Sequence, residues 1–307
     1  MPINRIAYFA QSGTLIYQTG NGGTSTVVLP INTANIEVSR PIEAITSFGQ
    51  FNSLNTAQTN LTTCKSSLKG YLGTGNGING LSASVLSGLI YATQNGTGAG
   101  GIVVNVNPGG FSMTGILTNI GLDIAMGGFG MFDLGFAGVG NPVVTPPNTA
   151  VTTAASTTLS ISPITTMSVG TAGLLNNAYA TSIKFAYDLP TDTLAALGDN
   201  PNATQGNLNS VIATKAPYKT TLNVEGHGVD PTLLDSVVVQ GISIGNINVV
   251  LPSAKINSRS FNNAAGQVSA TFAYAAEDVS ASFSAYSLSG YVQTGVSTST
   301  YGPSYGA

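Results

Sequence analysis

Charge is what this sequence has least of. Nine Lys or Arg and twelve Asp or Glu among 307 residues make 7% charged side chains, against about a quarter in an ordinary soluble domain. The shortage does not signal disorder, which couples low hydrophobicity to high net charge; here the net charge is −3 and the mean hydropathy +0.25. Nine basic residues without a cluster exclude a protein that grips nucleic-acid phosphates, and a pI near 4.9 points the same way. Cys64 is the only cysteine, which excludes an internal disulfide and a cysteine-based zinc cluster. Its neighbours "TTCKSS" suit a strand in which the thiol packs as a small hydrophobe. His227 is the only histidine, set between Gly226 and Gly228 without the partners of a general base, and reads as an exposed turn residue. No apolar run approaches the about 18 residues that cross a membrane as a helix. The N-terminus "MPINRIAYFAQSGT" has no cationic segment followed by an apolar stretch of about 7–15 residues, so the expectation is a soluble chain made inside the cell. So few charges leave little to keep a monomer in solution, and further copies are expected to cover much of the surface.

Glycine, serine, threonine, asparagine and alanine fill the space instead. Short runs containing Thr, Val, Ile and Tyr stand between Gly/Asn clusters, the pattern of strands and turns. "TLIYQ" and "STVVLP", joined by "TGNGGT", read as a hairpin, and "NIEVSRPI" as the next strand with Ile36, Val38 and Arg40 on one face. A polar excursion from Gly49 to Thr63 precedes the strand "CKSSLKGYL". Hairpin connections usually take about 2–5 residues, and reaching a neighbour is one use for a longer one. "LSASVLSGLIYATQNG" reads as a helix with Val85, Leu86, Leu89 and Ile90 on one side, Ser82 or Ser84 as cap and Asn95-Gly96 as stop. "GGIVVNVNPGG", "GFSMTG", "LTNIGLDIAMG" and "GMFDLGF" follow as strands interrupted by glycine, and "VTPPNTAVTTAASTTLS" reads as linker.

Beyond the linker the pattern returns. Pro41, Glu43, Ile45, Phe48 and Gly49 have chemical counterparts 149 positions on, in Pro190, Asp192, Leu194, Leu197 and Gly198. "SIKFAYDL" stands for "NIEVSRPI", and a second polar excursion runs from Gly198 to Val211. Lys65 and Lys69 reappear as Lys215 and Lys219 at an offset of 150, and Gly121 and Asp133 as Gly266 and Asp278 at 145. "DPTLLDSVVVQG" reads as the second helix, with Asp230 as N-cap and Pro231 at its first position. Offsets confined between 144 and 151 imply two copies of one domain; solenoid and propeller repeats run only about 20–50 residues. The expected layout is a first copy over 1–146, a linker over 147–160, a second copy over 161–290 and a C-terminal tail over 291–307.

The motifs that could carry chemistry are weak. "GNGING", 75–80, matches G-x-G-x-x-G between a strand and a helix, but no acid lies between Glu43 and Asp123 to hold a ribose, and the second copy reads "EGHGVD". Glu277 and Asp278 are adjacent, which points them to opposite faces of a strand. No nucleophile, base and acid can be assembled, so the expectation is no enzyme, no cofactor and no metal.

The succession of a strand, "RPIEAITSFGQFNSLNTAQ", "CKSSLKGYLGTG", a short helix and a strand ending near Pro108 resembles the tail tube proteins of long-tailed bacteriophages. "LDSVVVQGISIGNINVVLPSAKI…GQVSATFAYAAEDVSASF" resembles the closing part of the same family, and the likeness covers most of both halves in loose structural patterns. The glycine-rich strands at 109 to 140 depart from the family pattern. The resemblance implies a mainly β protein of two tandem β-sandwich or half-barrel tube domains, each with one short flanking α-helix. It implies rings of three chains with pseudo-sixfold symmetry, stacked into the conduit for DNA ejection. Its partners would be further copies of itself and other tail proteins (tape measure, terminator, distal tail or baseplate). DNA would pass through the lumen without specific binding, and no membrane would be involved. The protein would belong to the virion tail after synthesis in the host bacterial cytoplasm. On that reading the excursions are inter-ring loops, with Gly49, Gln50, Phe51, Asn52, Asn55 and Gln58 in one copy and Gly198, Asp199, Asn200, Asn202, Gln205 and Asn207 in the other. Pro41, Gly49, Pro190 and Gly198 are then repeat-equivalent structural residues. A head–tail completion ring and a surface adhesin are the other homes for an assembling, β-rich chain.

Overall fold

Thr19 to Gly23 reverses the chain. The Gly22 amide donates to the Thr19 carbonyl (3.0 Å) and the Thr19 amide to that of Gly23 (2.8 Å), with Gly22 at φ 76°, a conformation that favours glycine. The reversal lays β1 (Gln11–Gln18) antiparallel on β2 (Thr24–Ser39), Leu15 opposite Val27, as the sequence predicts. The computed structural model describes residues 11–20, 22–40, 42–45, 55–58, 62–72, 81–95, 101–107, 110–125, 127–144, 168–171, 179–193, 212–214, 219–227, 238–244, 247–264, 267–277 and 282–285.

β2 runs on through Pro30 and a bulge between Ile31 and Thr33 to pair with β5 (Thr63–Tyr71). "STVVLP" and "NIEVSRPI" are thus one strand of 16 residues, because a bulge turns the strand without ending it. From β5 the sheet passes to β8 (Met131–Val139), β7 (Phe111–Ala125) and β6 (Ile102–Asn107), and β6 returns to β1. All six pairings are antiparallel, so the strands close into a barrel and the fold is mainly β, as expected. Alternation sends Leu15, Leu29, Leu68, Val104, Met113, Leu134 and Phe136 inward, where each is buried. Such a side chain contributes ~1.5–3 kcal/mol on full burial.

The helix α1 (Ala83–Asn95) packs against β1, β6 and β7 and against β18 (Ser282–Ala285) of the second half, and buries Val85, Leu86, Leu89 and Ala92. Ser82 caps it, its hydroxyl accepting from the Val85 amide at 3.4 Å and its carbonyl from the Leu86 amide at 3.0 Å. "GFSMTG" and "LTNIGLDIAMG" prove to be one strand, β7, bent by a bulge between Leu117 and Asn119. Polar groups at the bulge find partners elsewhere: the Leu117 amide donates to Thr93 Oγ1 (3.0 Å) and the Thr118 carbonyl accepts from Leu189 (2.8 Å).

The second half supplies β11 (Tyr179–Asp188), β14 (Lys219–His227), β17 (Gln267–Glu277), β16 (Ile247–Ala264), β15 (Val238–Ile244) and β10 (Ser168–Thr171). They pair in that spatial order, which corresponds strand for strand to β2, β5, β8, β7, β6 and β1. Two short strands, β9 (Val143–Val144) and β18 (Ser282–Ala285), pair with β7 and β16 respectively. Two small hairpins leave the main sheet after β2 and after β11: β3 (Ile42–Ile45) with β4 (Asn55–Gln58), and β12 (Thr191–Thr193) with β13 (Ile212–Thr214). Registers agree as well as order for β2, β5, β8 and β7, whereas the shifts between Gly170 and Thr171 and between Val239 and Gly241 in the second half have no counterpart in the pairings of β6 with β1 and β7. Ser39 lies opposite Thr63 and Asp188 opposite Lys219, steps of 149 and 156 between the halves. Glu43 lies opposite Ala57 and Asp192 opposite Ala213, the same two steps. The bulge between Ile31 and Thr33 has a counterpart between Ala180 and Ser182 at 149, and that between Leu117 and Asn119 one between Ile256 and Ser258 at 139. Where β1 closes on β2, however, β10 and β11 do not pair among the described residues; β11 lies on β7 instead.

Two expectations change. Val238, Val239 and Gln240, expected at the end of a second helix, open β15, where a β-branched run packs well; Asp230 and Pro231 lie outside the described residues. His227 ends β14, opposite Tyr179 and Ser269, so it belongs to a strand and not to a turn. "GNGING" also lies outside the described residues.

Candidate assembly surface

Among the described residues, the outer face of the joined sheets carries several charged side chains. On β5 the alternation that buries Cys64, Ser66 and Leu68 exposes Lys65 and Lys69, so the two lysines share one side, as their spacing predicts. Each meets an acid or a neutral neighbour across the strands. Lys69 Nζ lies 2.8 Å from Asp133 Oδ2 on β8, and Lys184 Nζ of β11 3.6 Å from Asp123 Oδ2 on β7. In register, Lys65 stands opposite Glu37, and Lys219 between Asp188 and Glu277. Four of the five lysines in the described strands therefore face a carboxylate; the fifth, Lys255, stands opposite Val238 and Ala275. Exposed pairs of this kind are worth only ~0.2–1 kcal/mol each. Their larger effect is to cancel the field a row of lysines would otherwise project.

The registers also revise two equivalences. Gly121 and Asp133, matched in sequence to Gly266 and Asp278 at 145, correspond instead to Ser260 of β16 at 139 and Thr271 of β17 at 138. Steps of 138, 139 and 156 fall outside the range of 144 to 151 expected from the sequence. Lys69 and Lys219, matched in sequence at 150, do not occupy matching places: Lys69 lies opposite Thr33, whereas Lys219 lies opposite Asp188, whose counterpart at 149 is Ser39. The connection after β11 is seven residues longer than that after β2, which displaces the returning strand and carries the lysines out of step. Lys215 lies outside the described residues.

The two halves meet along a strand edge, besides the contacts of α1 with β18 and of β8 with β13. Asn119–Ala125 of β7 runs antiparallel to Ser182–Asp188 of β11, so the sheet of the first half continues into the second. One side of this seam is dry: Ile120, Leu122 and Ile124 stand opposite Tyr187, Phe185 and Ile183, and all six are buried. The other side holds the Asp123–Lys184 pair and a hydrogen bond from Asn119 Nδ2 to Asp188 Oδ1 (3.4 Å).

Of the inter-ring residues expected from the sequence, Asn55 and Gln58 lie in β4, opposite Ile45 and Ile42. Pro190 follows β11 and is exposed. Pro41, Gly49, Gln50, Phe51, Asn52, Gly198, Asp199, Asn200, Asn202, Gln205 and Asn207 lie outside the described residues. Cys64 behaves as a core residue: 1% exposed, its thiol is pushed up to about 11 by burial, partly countered by a backbone hydrogen bond from Gly138. Among the described residues no three of His, Cys, Asp and Glu gather as a metal site, and no helix is long and apolar enough to cross a membrane. The sequence matches no family model, and no curated protein is significantly similar to it.

Proposed function

We propose that this chain is a structural protein of a bacteriophage virion, a tail tube protein with two fused copies of the tube domain. It is not an enzyme. Three chains form a pseudo-sixfold ring, and stacked rings form the conduit for DNA ejection. The observation that carries this reading is the double occurrence of one strand order, with matching registers and two matching bulges in β2, β5, β7 and β8 and their counterparts. Bulges are specific devices of a fold, and finding both at constant steps supports duplication more strongly than residue identity does. Duplication in turn favours a closed ring built from fewer chains than it has equivalent positions. A 7% charge content suits a surface largely buried by other copies.

Electron micrographs of the purified protein are expected to show rings and tubes, and an isolated ring to weigh three times the 31.0 kDa chain. Six chains per ring would defeat the stoichiometry. Closed single rings that never elongate would move the assignment to a head–tail completion protein, and the absence of any assembly would overturn it.

A conduit must release its cargo. With four of the five lysines in described strands opposite carboxylates, assembled tubes are expected to bind duplex DNA weakly and with a shallow salt dependence. Retention at about 50 mM salt that disappears by about 200 mM, the mark of several phosphate contacts, would show free cations lining the channel.

A further inference from the structure

The seam between the halves has a pair of counterparts that find no second strand among the described residues. At the steps fixed by the bulges, Asn119–Ala125 of β7 corresponds to Ser258–Ala264 of β16, and Ser182–Asp188 of β11 to Thr33–Ser39 of β2. β1 pairs with β2 only as far as Ile31, and β15 with β16 only as far as Lys255. Among the described residues, then, Thr33–Ser39 has a strand neighbour on one edge alone, β5, and Ser258–Ala264 likewise has only β17. Two seven-residue edges thus have one strand neighbour each among the described residues, at the places where, inside the chain, the equivalent edges are joined.

We propose that these edges are the two sides of a head-to-tail contact between copies of this chain. β16 of one copy adds antiparallel to β2 of the next in the register of the internal seam, Ser258 opposite Ser39, Asn262 opposite Asn35 and Ala264 opposite Thr33. This deepens the assembly reading and rests on its duplication, not on its tube.

Burial points to a missing strand on β2. Ile183, Phe185 and Tyr187, on the dry side of the internal seam, are 0%, 2% and 0% exposed. Their counterparts are Ala34, Ile36 and Val38; the first two are only partly buried and Val38 is 40% exposed. An added strand would cover that row, with Phe261 in register opposite Ile36, and Arg259 and Asn263 opposite Val38 and Ala34 where the internal seam has Ile120 and Ile124. Charge permits it: the internal pair Asp123–Lys184 maps to Asn262 and Asn35, and Glu37 falls opposite Ser260, so no like charges meet. A free edge of this length invites pairing with another chain. Because the two edges differ, the contact is heterologous and propagates into a ring or a filament.

The test is cysteine pairing under mild oxidation. A chain carrying Asn35→Cys mixed with one carrying Asn262→Cys is expected to give a disulfide-linked dimer that neither gives alone. The double variant should give a covalent ladder. Asn35→Cys mixed with Ser258→Cys, four residues out of register and so about 13 Å apart, should give at least tenfold less. Unchanged melting of each variant confirms folding. Crosslinking that ignores register, a double variant that closes only within its own chain, or wild-type-like assembly without crosslinks would overturn the contact. Tubes without the crosslink would spare the tube reading and sink the contact; a ladder that never yields rings or tubes would do the reverse.

Discussion

Gly138→Val is expected to cost more than ~3 kcal/mol, a large part of the ~5–15 kcal/mol that holds a domain folded. Gly138 lies on β8 directly opposite Cys64, inside the barrel wall. A Cβ there would overlap the Thr114 carbonyl oxygen and approach Cys64 Sγ at 3.0 Å and Met113 Cε at 3.1 Å. The methionine can swing away; the carbonyl belongs to β7, whose strand would have to move outward. Gly70 faces a similar limit at the Pro30 carbonyl and the Phe132 ring, and Gly115 at the Ala137 carbonyl. These glycines let neighbouring backbone approach closely inside a barrel of six strands. Gly121→Ala is the control. Its nearest neighbour would be Asp133 Cβ at 3.3 Å on the half-exposed outer side, and it should shift stability by less than about 1 kcal/mol. Denaturant midpoints decide the matter: equal midpoints for the two variants would mean that β7 and β8 have room for a Cβ between Gly138 and the Thr114 carbonyl.

The same glycines explain why the sequence was only partly legible. Gly115 reads as a break, so β7 reads as two strands, whereas in the structure it sits within one strand. Pro30 did the same to β2. Elements announced by local chemistry are where they were expected: the Thr19–Gly23 hairpin, the Ser82-capped helix, and β5 with its alternating lysines. What depends on register is not visible in this way. Lys69 and Lys219 look like counterparts because both are lysines in short polar strands, yet the length of the preceding connection sets them apart. The valines at 238 and 239 fit a helix by continuity with Asp230 and Pro231, and a strand by their branching; only the partner strand β16 decides between them. That β2 and β16 each keep a one-sided edge among the described residues left no mark in the sequence, since whether an edge is paired is a property of the assembled sheet.

Shortening the first small hairpin is expected to leave rings and abolish tubes. β3 and β4 pair with each other and, among the described residues, with no strand of the main sheet; β12 and β13 do the same. Replacing residues 46–54 by an Asn-Gly turn therefore removes no barrel pairing, and a two-residue turn of that type suits a hairpin. Loop closure changes by well under about 2 kcal/mol for such a deletion, so melting should stay close to that of the parent. Elongation is another matter in the proposed assembly. A ring of three chains would present six hairpins, and stacking would sum six weak contacts. If each contributes ~1 kcal/mol, removing one hairpin per chain takes away ~3 kcal/mol, a factor of about a hundred in the affinity of ring for ring. The corresponding deletion within Gly198 to Val211 should act equally, because the two hairpins leave the sheet at equivalent points. Sedimentation of assembled material against concentration reads both effects at once. Tubes that form at the parent's concentration would remove the hairpins from the stacking contact, and chains that no longer fold would make them part of the barrel's own stability.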